Sequence, residues 1–98
     1  MEEKLNHIME HYSEALDELM GAQEYAEKAC HAESQESKNM YIRMSRQELE
    51  HADGLKTMAV RSVGDDRTLH TIWHHLQGHL DSWKDGIMEK LKRAETGK

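Results

Sequence analysis

The stretch Glu48-Leu49-Glu50-His51-Ala52 decides how the rest of the chain reads. Glu48 and His51 stand three apart, so on a helix their side chains share one face and can grip one metal ion. Tyr41, Met44, Leu55 and Met58 continue that face at steps of 3, 4, 3, 4 and 3 through the pair. Apolar residues at that period mark an amphipathic helix with the stripe turned inward. A carboxylate and an imidazole in the middle of an inward stripe need partners, because an unpaired buried charge is costly. The expected partners are metal ions and further carboxylates.

Working outward, this helix should run over about 38–62. Ser34 or Ser37 is its expected N-cap, the hydroxyl accepting from a free backbone N–H, and Gly64 closes its C-terminal end. Before it, Leu5, Ile8, Tyr12, Ala15, Leu19, Ala22, Ala26 and Ala29 alternate steps of 3 and 4, a heptad seam that predicts a helix over about 3–31. So short a connection makes the two an antiparallel hairpin. Beyond Gly64, Asp65 or Asp66 caps a third helix over about 67–94, with Leu69, Trp73, Leu76, Leu80, Trp83, Ile87, Leu91 and Ala94 as its seam. Asp85-Gly86 could mark a kink or break in it. Gly21, inside the alanine-rich half of the first helix, points to close packing there. The fold class is all-α, one domain over 1–98.

Composition narrows the function. The chain has no Pro, no Phe and a charged fraction of 33%, so one copy buries a thin core and association with a second is expected. A net charge of −6 argues against a nucleic-acid binder. No apolar run approaches the about 20 residues that would span a membrane. The acidic start reads as no signal peptide, and the single Cys30 cannot form an internal disulfide. A cytoplasmic protein is expected, with Cys30 a buried or half-buried small hydrophobe.

The hairpin also predicts a register. With the turn centred near Ser34, Glu18 sits level with Glu48 and His51. Glu18 shares an inward row with His11, Ala15, Ala22 and Tyr25, where the alanines leave room for a ligand. Three donors from two helices then arrive at one height.

These residues resemble a family. Glu18-Leu19-Met20-Gly21-Ala22-Gln23-Glu24-Tyr25, with Ala29 four further on, resembles the first metal helix of the ferritin-like di-iron proteins. Glu48 to Ala52 resembles the ExxH-Ala motif of their second. The thirty residues from Glu18 to Glu48 are similar to the separation in the short encapsulated ferritins, half-bundle chains that dimerise. The resemblance covers about 16–55. It departs in one respect: a full bundle takes a Glu from each of two helices and an ExxH from each of the other two, and this chain has one ExxH. The resemblance thus implies a homodimer or higher oligomer whose four-helix bundle is completed by dimerisation. It implies two Fe per dimer at the interface, and ferroxidase activity with O2 or peroxide. Glu48 would bridge the irons, Glu18 bind terminally, His51 donate one ring nitrogen, and Tyr25 hydrogen-bond a ligand carboxylate. Manganese or zinc suits the same donors. Glu95-Thr96-Gly97-Lys98 is unlike the Gly- and Leu-rich cargo tail of the encapsulated family, so packaging inside a shell is not implied.

Other readings compete. The three residues could form an ion network in an ordinary bundle, making the chain a non-catalytic helical association module. A rubrerythrin-like peroxide reductase would share the site but need a separate electron donor, since no Cys-rich segment is present. His70/His74 and His75/His79, each four apart, could chelate zinc or copper, against the plainer reading as exposed positions beside the Leu/Trp seam. Glu14, Asp17 and Glu24 read as a solvated face or an acidic approach for cations. The third helix either buttresses the core or drives higher assembly through Trp73 and Trp83.

Overall fold

Local signals start and stop three long helices in the computed structural model, which describes residues 2–97. They are α1 (Glu2–His31), α2 (Gln35–Val63) and α3 (Arg67–Glu95). No strand occurs among the described residues, so the fold is all-α. Ser34 is the N-cap of α2, its Oγ accepting from the Ser37 N–H at 3.1 Å. The helix therefore begins at Gln35, three residues before the expected start. Asp66 caps α3 by accepting from the Leu69 N–H at 3.0 Å. Gly64 between them takes φ 59°, a left-handed backbone that a Cβ would penalise. α3 is not broken at Asp85-Gly86: the helix runs through Gly86 without interruption, since an interior glycine lowers helix propensity by only about 1 kcal/mol.

α1 and α2 run antiparallel and close together. Buried Ala15, Ala22, Ala26, Ala52 and Ala59 keep the seam thin, and the buried Ser45 hydroxyl donates to the Ala22 carbonyl at 2.7 Å. The buried row of α2 is Ser45, Leu49, Ala52, Ala59 and Val63. This corrects the expectation that the Tyr41–Met58 stripe faces inward. Tyr41, Met44 and Leu55 are only half-buried, and His51 and Met58 are exposed. The reason is the position of α3, which lies against the other flank of the hairpin and rotates the core toward itself.

Leu69, Trp73, Leu80, Ile87, Leu91 and Ala94 of α3 face the hairpin and are buried. Trp73 is 3% exposed inside the chain's own core, so it buttresses rather than offering itself for assembly. Its Nε1–H lacks an acceptor, a loss of order 1–3 kcal/mol. Trp83 is half-buried and donates its Nε1–H to Gln23. Ion pairs rim α3: Lys84 to Asp53 at 2.8 Å, Lys56 to Asp81 at 2.6 Å, Lys90 to Glu27 at 3.0 Å, and Arg46 to Glu95. Cys30 is exposed, not half-buried. Ala26 and Ala29 take the inward positions there, and the Cys30 thiol rests 3.7 Å from the Lys90 carbonyl. The molecule is a rod of 50 × 16 × 14 Å, and among the described residues no helix is long and apolar enough to cross a membrane. One face of the α1–α2 hairpin is covered by α3; the opposite face is open.

Candidate metal centre

Glu18, Glu48 and His51 meet on that open face. α1 supplies Glu18, and one turn of α2 supplies the other two. His51 Nδ1 lies 3.4 Å from Glu18 Oε2 and 3.7 Å from Glu48 Oε1. One donor atom from each residue falls within 4.8 Å of the others. The side chains of Glu18 and Glu48 are 30% and 28% exposed and that of His51 is 61% exposed, so an ion can reach all three from outside.

The electrostatics are unbalanced. Burial raises the Glu48 carboxyl above the ordinary glutamate range; the hydrogen bond and negative charge of Glu18 raise it further, and His51 offsets only part. Two carboxylates side by side disfavour their own ionisation, and a nearby cation reverses this. Among the described residues no Lys or Arg pairs with either one. Glu48 is also seated tightly: a Cβ built on Gly21 would lie 2.7 Å from Glu48 Oε2. The carboxylate occupies the space that any side chain at position 21 would claim. A glycine among heptad alanines signalled a close approach, but not which atom makes it.

An open cleft of about 480 Å³ adjoins the cluster, lined by Glu14, Asp17, Glu18, His51, Gly54, Leu55 and Met58. Glu14 and Asp17 thus flank the site, with His11 Nδ1 3.1 Å from Glu14 Oε1. Glu24 does not join them; it pairs with Lys28 at 3.7 Å. Tyr25 stacks on Tyr41 with ring centroids 6.3 Å apart, and Lys28 Nζ sits 5.7 Å and 5.9 Å from the two centroids. Among the described residues the Tyr25 hydroxyl makes no hydrogen bond to Glu18 or Glu48. The histidines of α3 are exposed. His70 Nε2 meets the Gly64 carbonyl at 2.9 Å, while His75 and His79 meet edge to face at 5.2 Å. No third ligand gathers at either pair among the described residues.

Two carboxylates and one imidazole are a hard-to-borderline donor set that accepts iron, manganese or zinc. Three donors leave positions open at such an ion. No family model, curated protein or solved structure matches the chain.

Proposed function

We propose that the chain is a ferritin-like iron-binding protein in which two copies close a di-iron centre between them and oxidise ferrous iron. The observation that carries this reading is the convergence of Glu18, Glu48 and His51 within 4.8 Å on the face that α3 leaves open. The donors fit the group: two close carboxylates lacking a Lys or Arg partner are relieved by a divalent cation, and the imidazole beside them is uncharged when it ligates. A two-fold copy doubles the set to the four Glu and two His of a complete bundle. Bound iron supplies the electrons that reduce oxygen or peroxide. The chain's residues do the rest. Glu48, seated against Gly21, together with Glu18 and His51 would hold the metal. Glu14 and Asp17 draw cations into the cleft. The exposed, free Cys30 fits a reducing, cytoplasmic setting.

Metal analysis of protein purified without added metal, combined with its solution mass, tests this. The expected result is about one iron per chain in a dimer, with oxygen uptake on adding ferrous salt, all lost in Glu48→Ala. A helical association module would instead assemble without tight metal and ignore Glu48→Ala.

A further inference from the structure

The geometry points to a second metal site, on the outer surface of α3, where His75 and His79 together chelate a borderline divalent cation, copper or zinc. It is independent of the carboxylate cluster. It lies on the helix that covers the other face of the hairpin, and it takes a different class of ion.

His75 and His79 stand four apart in an unbroken stretch of α3, so both side chains leave one face a turn apart. Their rings meet edge to face, with centroids 5.2 Å apart and planes at 77°. A shared ion asks for that separation. A zinc–nitrogen bond of about 2.0–2.1 Å puts the ion about 3 Å from each ring centre, and a tetrahedral angle between the two bonds then sets the centres about 5 Å apart. Both residues are exposed, so no packed neighbour stops a nitrogen of each ring from turning to the ion. Gly78 lies between them in the chain, and nothing comes within 4 Å of where its Cβ would be. Water can therefore reach the ion's remaining positions from that side.

The other histidine pair of α3 supplies the contrast. His70 and His74 have the same spacing and the same exposure. His70 Nε2, however, meets the Gly64 carbonyl at 2.9 Å across the turn between α2 and α3, and would give up that bond to ligate. Among the described residues no protein group hydrogen-bonds the ring of His75 or His79; each ring meets the other instead. Spacing alone makes the two pairs equivalent, and the turn separates them.

Donor type separates this site from the carboxylate cluster. Two imidazoles with no carboxylate favour copper and zinc, whereas carboxylate-rich sites suit harder ions such as manganese. The net charge of −6 draws a cation toward either site.

Copper(II) titration followed by electron paramagnetic resonance tests the assignment. A His51→Ala background removes the imidazole of the carboxylate cluster. The expected first equivalent of copper couples to two imidazole nitrogens. His79→Ala should leave one nitrogen and weaken binding about 100-fold, the gain that holding a second ligand on one scaffold brings. His74→Ala should change neither. Adding Thr71→His to His79→Ala again places two imidazoles four apart, at 71 and 75, and should restore the two-nitrogen signal. A two-nitrogen signal that survives His79→Ala, or that His74→Ala abolishes as well, overturns the proposal. So does a His79→Ala, Thr71→His chain that stays helical by circular dichroism and does not regain the signal.

Discussion

Two carboxylate clusters sit on α2 five residues apart, at Glu48 and Asp53, and face different ways. Toward the open side, Glu48 lies beside Glu18 with His51 as their one basic neighbour among the described residues, and its carboxyl is pushed up. Toward α3, burial pushes the Asp53 carboxyl up as well, but Lys84 and Lys56 outweigh it and hold it below the ordinary range. Lys56 is raised in turn: burial opposes its charge, and Asp81 and Asp53 more than restore it. The fold supplies lysines where carboxylates join helices and withholds them where two carboxylates meet on an open face. A satisfied cluster serves packing. An unsatisfied one costs stability, which supports the proposed metal site.

The sharpest way to break this contrast is to neutralise one member of each cluster. Glu48→Gln should weaken manganese or anaerobic ferrous binding by more than about 100-fold, since even outer partners of a ligand are worth 10–100-fold. Without metal it should melt higher than the parent, because the repulsion from Glu18 is gone. Asp53→Asn should leave affinity unchanged. Titration calorimetry and thermal unfolding, run on both variants, read the two effects separately.

The glycines sharpen the contrast further. Gly21→Ala places a methyl where the Glu48 carboxylate rests, and the flexible end of Glu48 must swing away. Metal affinity should fall about 10-fold. Gly78→Ala, with nothing within 4 Å of the added carbon, should keep full affinity and gain about 1 kcal/mol of stability in urea unfolding.

A smaller effect belongs to the lysine side. The Asp53 side chain is 47% exposed, so solvent screens its pairs with Lys84 and Lys56. Asp53→Asn should therefore cost less than about 1 kcal/mol, and the loss should shrink as salt is added.

The pH dependence of the metal-free protein should show the two clusters with opposite sign. Glu48 titrates higher folded than unfolded, so its charge subtracts stability above the folded value, and acidification removes that penalty. Asp53 titrates lower folded than unfolded. Its contribution is complete above the unfolded value and is lost as pH falls through the folded one. Denaturant midpoints followed downward from neutrality should hold or rise slightly through the glutamate range, then drop. Glu48→Gln should abolish the first phase and Asp53→Asn reduce the second.

Much of this was legible in the residues. The seams of α1 and α3 follow from periodicity, and six of the eight seam residues of α3 are buried, with Leu76 and Trp83 half-buried. Ser34, Gly64 and Asp66 act where their side chains or missing Cβ demand. A tight turn couples chain position to height, which is why Glu18 could be set level with Glu48 and His51. The inner flank of α2 was not legible. Its Tyr41–Met58 row is more conspicuous than the row of Ser45, Leu49, Ala52 and Ala59 that the core took. A periodic pattern gives the direction of a face only relative to its own helix, and α3, packed from outside, chose between them.

By itself, then, the sequence determined helix number, extent, ends and the register of the hairpin, because backbone hydrogen bonds and side-chain sterics act within a few residues. Only the tertiary structure decided that the carboxylate pair would face outward, that Gly21 would seat Glu48, and that Asp53 would find Lys84. Each of these joins groups some thirty residues apart, and such distances close only when whole helices pack.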